Sequence, residues 1–397
     1  MGTLRTRDMV SGTSEKRSGK IRLGMVGGGQ GAFIGAVHRL AARMDDHYEL
    51  VAGALSADPA RAAASAADLG LDPTRSYGSY EEMARAESKR RDGIEAVAIV
   101  TPNHMHVPVA MAFIKAGIHV ICDKPLGISL KEAKSLEKML STRKDLVFAF
   151  THNYSGYPMI RQAKAMIAKG DLGDIRVVQV EYPQDWLTTA LEKTGQKQAD
   201  WRTDPKRSGA GGCVGDIGTH AHQLACFVSG LDVEELAAEL TTFVKGRALD
   251  DNVQVMLRFK GGARGSLWAS QVAPGNENGC ALRVYGTKGG LEWRQEDPNY
   301  LWYTPYGESK RLLTRGGAGS LPEAGRVTRV PPGHPEGYLE GFANIYTEVA
   351  KAVIAARSGK KPAKEVSFPG IKDGVDGMAF IEACVKSSKA NAKWVKV

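Results

Sequence analysis

The first 150 residues alternate strand-like and helix-like segments, and this alternation restricts the fold more than any other feature of the chain. Short apolar runs typical of buried strands are separated by amphipathic or alanine-rich stretches typical of helices. Strands that alternate with helices form βαβ units, and right-handed crossovers then produce a doubly wound parallel sheet. The strand-like runs are 21–26, 50–54, 94–100, 119–122 and 146–150, and the helix-like stretches are 36–44, 59–68, 107–116 and 130–140.

The pattern changes beyond residue 150. A helical stretch at 158–169 precedes an alternating run at 175–182, and further strand-like runs follow between 237 and 303. Glycine pairs separate some of these runs, which is typical of hairpin turns. We therefore expect a second domain with an antiparallel or mixed sheet that is backed by helices on one face. The glycine- and proline-rich residues 305–337 are expected to form loops, and 341–356 and 374–390 to form helices.

Composition argues against several functional classes. The formal charge is +9, but no dense Lys/Arg cluster is interleaved with aromatic residues, so we expect no nucleic-acid partner. No run of eighteen apolar residues exists, so no membrane partner is expected. Residues 1–20 lack the apolar segment of a secretory signal and are predicted to form a disordered tail. Five cysteines without a CxxC pair, and no Cys/His grouping of ligand spacing, predict a cytoplasmic protein without a metal site.

A glycine-rich loop, Gly27-Gly28-Gly29-Gln30-Gly31-Ala32-Phe33-Ile34-Gly35, stands between the first strand-like run and the first helix-like stretch. Glycines let the backbone approach a pyrophosphate closely, and the helix N-terminus supplies N–H groups and a positive dipole end. Gly35 comes later than the third glycine of a GxGxxG motif, which indicates a longer turn. The loop predicts dinucleotide contacts from Gly27, Gly29, Gln30, Gly31, Phe33 and Ile34.

The residues after the second strand-like run leave the choice of dinucleotide open. A carboxylate usually binds the ribose hydroxyls of NAD at this point, but Ser56 lies nearest to the expected position. Asp58 precedes Pro59 and is predicted to cap the next helix instead. A missing carboxylate also removes repulsion against the 2′-phosphate of NADP. We expect NAD or NADP as the cofactor, with NAD preferred.

Two strand-like runs end in polar residues that point to a ligand site. The third run ends at Thr101-Pro102-Asn103 and the fourth at Asp123-Lys124-Pro125. Proline has no N–H and ends a strand, so Lys124 is placed at the carboxyl end of its strand. Ligands bind at this edge of open α/β sheets. Lys124 is therefore predicted to point at the chemistry.

A second candidate element follows a glycine run at 208–215, which leads into Asp216 and His220. Four residues apart, the two side chains would share one face of a helix. A carboxylate beside an imidazole suits acid–base chemistry, because histidine titrates near neutral pH. On its own, however, the pair fits a helix cap and a hydrogen-bonded core histidine better than a catalytic site.

Taken in order, these motifs closely resemble the Gfo/Idh/MocA oxidoreductases over roughly residues 20–390. The resemblance rests on the glycine loop, Thr101-Pro102-Asn103 with His106, Asp123-Lys124-Pro125, and the Asp216–His220 pair. Members usually have Glu-Lys-Pro, so Asp123 is one methylene shorter than the usual acid. The resemblance implies an N-terminal Rossmann domain at 21–150 and a C-terminal α/β domain at 151–397 with a large open, mostly antiparallel sheet.

The family implies hydride transfer between nicotinamide and a hydroxyl-bearing carbon of a sugar or cyclitol. By resemblance, Lys124, Asp216 and His220 form the catalytic set, with His220 as general base and Lys124 polarising the oxygen. The open sheet often forms the subunit interface, which implies a homo-oligomer (dimer or tetramer), and a C-terminal helix is expected to pack back on the Rossmann domain. The Lys-Pro bond is expected to be cis.

Further contacts are expected from residues beside these motifs, although each is more often structural than functional; the same applies to His38, His104 and His152. A loop at 182–186 is also expected near the pocket. The remaining predicted cofactor contacts are Ser56, Thr101, Pro102, Asn103, His106, Asp123 and Lys124. The predicted substrate contacts are Lys124, Asn153, Tyr154, Trp201, Arg202, Asp216 and His220.

Two other functional classes stay open at this point. An NAD-retaining glycoside hydrolase, which oxidises a sugar carbon transiently, would need the same residues, and its products would separate it from a dehydrogenase. A non-catalytic sensor would keep the fold and bind nucleotide and sugar. The presence of Lys124, Asp216 and His220 together argues against the sensor.

Overall fold

The structure is a computed structural model that describes residues 19–397. The predicted disordered tail at 1–20 lies outside the described residues except for its last two positions. Within 19–397, no helix has both the length and the apolar character that a membrane span requires.

In the described part of the chain, five parallel strands form a first sheet. They are β1 (Ile21–Gly27), β2 (Tyr48–Ala54), β3 (Ala96–Val100), β4 (His119–Cys122) and β5 (Phe148–Phe150). Their order is β2-β1-β3-β4-β5. Every residue of β3 is buried, because helices cover both faces of the sheet, and this explains the continuous apolar run. This is the doubly wound α/β arrangement that the alternation predicted.

Helices of the described chain connect and cover the strands. Their starts follow local capping chemistry: Asp58 accepts a hydrogen bond from the Arg61 N–H at 2.7 Å, as predicted, and Ser79 and Ser129 cap later helices in the same way. The helices are α1 (Phe33–Met44), α2 (Pro59–Asp68), α3 (Tyr80–Glu87), α4 (His106–Lys115), α5 (Leu130–Ser141), α6 (Pro158–Lys169), α7 (Lys197–Arg202), α8 (Pro205–Ser208), α9 (Thr219–Ser229), α10 (Pro322–Gly325), α11 (Tyr338–Arg357) and α12 (Ile371–Lys389).

A second, larger sheet follows, and within residues 19–397 it has nine strands. They are β6 (Ile175–Pro183), β7 (Val233–Thr241), β8 (Asn252–Phe259), β9 (Arg264–Ser270), β10 (Ala281–Gly286), β11 (Gly289–Arg294), β12 (Tyr300–Pro305), β13 (Arg311–Thr314) and β14 (Val395–Lys396). Their order is β13-β12-β11-β10-β6-β9-β8-β7-β14, and neighbours are antiparallel except β6 and β9. The mostly antiparallel open sheet implied by the resemblance is confirmed.

One face of this sheet is covered by helices and the other faces outward. In β8, Val253, Val255 and Leu257 are buried, whereas the intervening Met256 is 56% exposed. Helices α6, α9 and α12 pack on the covered face. The alternation of buried and exposed residues in β8 is therefore that of a sheet with one buried face.

Two predictions about loops were wrong in part. Residues 305–337 contain β13 and α10, and the predicted loop at 182–186 begins only after Pro183, because Tyr182 and Pro183 end β6. Strand β13 pairs only with β12 at the edge of the sheet and is largely exposed, so it lacks a buried apolar face that would mark it in the sequence. Helix α10 spans a single turn, which is too short for an amphipathic pattern.

The C-terminal helices pack on the first sheet and its helices, and α12 also reaches the large sheet. Helix α11 packs against α1, and its Phe342 and Tyr346 belong to the same apolar core as β1. Helix α12 contacts both α5 and β7. These contacts bring the carboxyl ends of β3, β4 and β5 against elements of the large sheet.

Two buried histidines away from these strand ends have a strongly altered acidity. His38 in α1 pairs through Nδ1 with the Tyr346 hydroxyl at 2.8 Å, and His222 in α9 stacks on Phe380 with ring centroids 4.3 Å apart. Burial lowers the pKa of each imidazole to about 4. Both are therefore neutral in the folded protein at pH values where the unfolded chain already binds a proton.

The free energy of unfolding is expected to fall as the pH is lowered from 6.5 towards 4. As the pH falls from 6.5 to about 4, each such histidine lowers the unfolding free energy by up to about 1.4 kcal/mol per pH unit. Above pH 6.5 it is neutral in both states and causes no loss. Burial raises the pKa of the Asp250 carboxyl to about 6. Below this pH the folded state binds the Asp250 proton more tightly than the unfolded chain, which offsets the effect of about one histidine. Urea denaturation should give an unfolding free energy at least about 2 kcal/mol lower at pH 5 than at pH 7. A flat profile would contradict this, and His222→Gln should make the slope shallower.

Candidate active site

The glycine loop lies between β1 and α1, next to the ends of β2 and β3. Gly27, Gly28 and Gly31 have positive φ angles of 80°, 74° and 76°, a backbone region that favours glycine. A Cβ on Gly27 would lie 2.9 Å from the Val100 carbonyl oxygen. The loop therefore needs glycine to pass this close to β3 and to expose its backbone at the start of α1.

Gly35 explains the unusual spacing of the motif. It lies in the first turn of α1, and a Cβ there would lie 2.4 Å from the Gly28 Cα atom and 2.6 Å from the Gly28 oxygen. Close packing of helix against loop is the function of the third glycine in a dinucleotide fingerprint. The turn is longer than in GxGxxG, as predicted, and Gly35 supplies the close contact from a later position.

Replacing Gly35 with alanine is expected to weaken NADH binding by about 10-fold or more, because the methyl group would push backbone out of the loop. Titration of NADH fluorescence would measure the dissociation constant. Gly70→Ala is the control, since Gly70 has a φ of 64° and open space around it. The control should lose stability without losing NADH affinity, and equal affinities in both variants would contradict the assignment.

A groove of about 420 Å³ runs along this loop and is lined by residues of the loop, α1 and α2. Gln30 donates its backbone N–H to Ser65 Oγ at 3.0 Å and its side-chain amide to Asp68 at 2.8 Å. Phe33 is 67% exposed in the groove and offers a flat apolar face. Ser56 lies outside the lining residues, and its Oγ accepts the Asp58 N–H at 3.1 Å. Ile34 is half-buried against the α1–α11 core.

The residues that follow β3 and β4 are tied together by His106. Its Nδ1 lies 2.6 Å from the Pro125 carbonyl oxygen and its Nε2 lies 2.8 Å from that of Thr101. A neutral imidazole has one N–H, so His106 donates to one of these carbonyl oxygens and lies against the other, between the two strand-end loops. The Thr101 hydroxyl itself is buried without a hydrogen-bond partner among residues 19–397, as is Asn103 Oδ1. Unsatisfied polar groups beside a glycine cradle fit a dinucleotide at this edge.

Lys124 follows β4, and its bond to Pro125 is cis. Asp123 stabilises the turn, because its Oδ1 accepts hydrogen bonds from the Lys124 N–H and the Thr151 hydroxyl, both at 2.9 Å. The Lys124 ammonium donates to Asp216 Oδ1 at 2.9 Å and to the Asp216 carbonyl oxygen at 2.5 Å. The shorter acid at position 123 therefore still fixes the backbone of Lys124. Through its ammonium, Lys124 connects the end of β4 directly to the segment that carries Asp216.

Asp216 is surrounded by hydrogen-bond donors. Beyond Lys124, its Oδ2 accepts from Gln271 at 2.8 Å and lies 3.3 Å from Arg202 Nε. Burial alone would raise the pKa of this carboxyl, but the charges of Lys124 and Arg202 outweigh it and hold the pKa well below its ordinary value. Sequence reasoning missed Gln271. Its only signal was its position directly after β9, at the carboxyl end of a strand.

A buried carboxylate holds the segment that carries Asp216. Asp250 accepts the backbone N–H groups of Gly212 at 2.6 Å and Val214 at 2.8 Å. A Cβ on Gly212 would lie 2.3 Å from the backbone carbonyl oxygen of Asp250, so glycine is required there. Residues Val214–Gly218 form a π-helical turn that runs into α9. Such turns are common at functional sites and here set the direction of Asp216.

His220 lies in the first turn of α9 and is only 7% exposed. Its Nδ1 is 3.3 Å from Nδ1 of His152. Burial, together with the nearby Lys124 charge and His152, holds the pKa of His220 well below its ordinary value. The imidazole is therefore neutral at physiological pH and can accept a proton.

Aromatic and amide side chains enclose His220. The ring of Tyr154 lies 5.0 Å from the His220 ring, and its hydroxyl pairs with that of Tyr182. Tyr182 in turn donates to Asn278 Oδ1 at 2.7 Å. The neighbouring Asn153 has a buried side-chain N–H group without a partner in the described chain. These groups form a polar, largely buried wall around the imidazole.

The structure brings most of the predicted substrate residues together. Lys124, Asp216, Arg202 and His220 share one site, and Asn153 and Tyr154 lie beside it. Trp201 has a supporting position, since the Arg202 guanidinium lies 4.3 Å over its ring. The described residues contain no cluster of His, Cys, Asp or Glu that could hold a metal ion.

A glycine cradle and Lys124 at the edge of the parallel sheet face Asp216 and His220 from the π-helical turn and α9, and this arrangement is typical of an NAD-binding oxidoreductase. Residues 21–163 match the model of the oxidoreductase family with an NAD-binding Rossmann fold, and residues 160–292 match that of the GFO/IDH/MocA C-terminal domain. The chain belongs to the Gfo/Idh/MocA oxidoreductase family.

Several solved relatives share nearly the whole chain. An oxidoreductase from Sinorhizobium meliloti is 59% identical, with a TM-score of 0.87 over 95% of this chain and 99% of that one. An inositol dehydrogenase homolog from Azotobacter vinelandii, solved with NADH and myo-inositol, is 36% identical with a TM-score of 0.89, over 96% and 98%. Levoglucosan dehydrogenase of Pseudarthrobacter phenanthrenivorans is 29% identical over 95% of this chain and 98% of its own length.

Proposed function

We propose that the protein is an NAD-dependent dehydrogenase that oxidises a secondary hydroxyl of a cyclitol or sugar. The observation that carries the proposal is the contact of 2.9 Å between the Lys124 ammonium and Asp216 Oδ1, beside a neutral His220. A cation, a carboxylate and a base then meet at the carboxyl edge of a dinucleotide-binding sheet. Relatives solved with myo-inositol or levoglucosan support a polyhydroxylated substrate.

The reacting hydroxyl would lie between His220 and Lys124. His220 Nε2 accepts the hydroxyl proton, and Lys124 donates a hydrogen bond to the same oxygen and stabilises its developing negative charge. When bound, NAD supplies the redox chemistry by taking up a hydride from the carbon that bears this hydroxyl. Oxidation thus releases one proton to the protein for each alcohol converted to a ketone.

Asp216 holds Lys124 in place and offers its oxygens to a neighbouring hydroxyl of the substrate. Arg202 and Gln271 add donors beside the same site, as does the Asn153 amide, whose N–H group has no partner among residues 19–397. A substrate with adjacent hydroxyl groups could use several of these at once, whereas a simple alcohol would leave buried polar groups unpaired. This set of donors therefore favours polyols over monohydroxy alcohols.

A panel of inositols, aldoses, anhydrosugars and glycosides, each with NAD and NADP, tests the proposal. Reduced nicotinamide should accumulate with at least one polyol and NAD, and simple secondary alcohols should react far more slowly. Release of free sugar from a glycoside without net NADH would indicate the hydrolase instead. Tight sugar binding without turnover of any compound would favour a sensor.

Assembly and location remain predictions. The uncovered face of the large sheet exposes Met256 and Val177, which fits the expected homo-oligomer through this face. Light scattering in solution would show whether the mass is a multiple of the 42.7 kDa chain. A cytoplasmic location and the division into domains at 21–150 and 151–397 likewise stay as proposed.

A further inference from the structure

We propose that His152 is a positioning residue that sets the tautomer of His220. The inference rests on the proposed function, in which His220 is the base. His152 lies just after β5, is fully buried, and packs edge-on against Phe150 with ring centroids 4.9 Å apart. Its ring is therefore held by packing, with Nδ1 directed at Nδ1 of His220 at 3.3 Å.

Two facing imidazole nitrogens share a single hydrogen, since two lone pairs or two N–H groups would repel each other. If His220 donates, its own Nε2 carries a lone pair and can take the proton of a substrate hydroxyl. If His152 donates, His220 carries its hydrogen on Nε2 and cannot act as a base. The tautomer of a histidine is set by the bond that its other nitrogen makes, so His152 controls this choice.

The proposed function selects between these two arrangements. Only the one in which His152 accepts from His220 leaves a lone pair on His220 Nε2, so His152 orients the base as a third group does in other catalytic sites. In this arrangement the hydrogen of His152 lies on its Nε2, which is buried and has no partner among residues 19–397.

Two variants of His152 test this inference with the best substrate of the panel. His152→Phe keeps a buried planar ring but removes the acceptor, and kcat should fall about 10- to 100-fold with NADH affinity and melting temperature nearly unchanged. His152→Asn places an amide oxygen near the position of Nδ1 and should recover kcat to within about 5-fold of the original. A kcat of His152→Phe within about threefold of the original, or no gain from Asn over Phe, would overturn the inference.

The nitrogen-15 shifts of the His220 ring give a second measurement that needs no substrate. The full-length protein should show the form with hydrogen on Nδ1, and His152→Phe should lose this preference. Hydrogen on Nε2 in the original protein would contradict the inference. A different result would contradict the proposed function. Full turnover in His220→Gln would show that His220 is not the base. If His220→Gln loses turnover and His152→Phe keeps it, only the role of His152 is contradicted.

Discussion

Replacing Lys124 with alanine should lower kcat by about 10³-fold, because the donor that stabilises the reacting oxygen is lost. NADH affinity should survive, since the ammonium contacts Asp216 and not the glycine loop. Removing this positive charge also raises the pKa of His220, so the acidic limb of the pH–rate profile should move to higher pH. Steady-state kinetics across pH, with a fluorescence titration of NADH, measure all three effects.

Lys131→Ala provides the matched control for this variant. Lys131 is an exposed lysine in the first turn of α5, and its loss should leave kcat within about twofold of the original protein. An unchanged kcat in Lys124→Ala would remove Lys124 from the mechanism. A simultaneous loss of NADH binding would instead assign it to the cofactor.

His220→Gln should reduce kcat by about 10²- to 10⁴-fold, because the amide cannot accept the proton that leaves the hydroxyl. The residual rate should rise with pH as solvent base replaces the imidazole, and added imidazole should restore part of it. In the original protein, the pKa of His220 lies well below its ordinary value, so kcat/KM should remain high at pH 6.5 and fall only in more acidic solution. Rate measurements from pH 5 to 9 would detect both profiles.

His222→Gln is the control on the same helix. His222 is also a buried histidine of α9, but it stacks on Phe380 away from Lys124 and Asp216. This variant should lose stability and keep kcat within about threefold. If both glutamine variants lost turnover equally, the effect would be due to a damaged α9, and His220 would have no special role.

The fold was predictable to a large extent because its signals are local. Buried strands such as β4, whose bounds match the predicted run at 119–122, are short apolar segments between turn residues. The glycine loop and the proline after Lys124 are likewise backbone constraints within a few residues. Exposed edge elements such as β13 escaped prediction, because they bury little and carry no periodic apolar face.

The candidate site was predictable only in part. Lys124, Asp216 and His220 were identified by the order of their motifs, and Arg202 by its place before the glycine run. Gln271 was missed and His152 was taken as structural, since a single polar residue after a strand has no distinctive pattern. The cofactor contact of Ser56 stays a prediction, and Ser56 is not among the residues that line the groove along the glycine loop.

The sequence by itself determined the alternation of strands and helices, the glycine cradle and the placement of Lys124 at a strand end. Each depends on periodicity or backbone geometry within one contiguous segment. Only the tertiary structure decided which groups meet. Lys124 and Asp216 lie 92 residues apart, and His152 and His220 lie 68 apart. Their contacts depend on how α12 packs against strands of both sheets, and this arrangement comes from packing summed over the whole core.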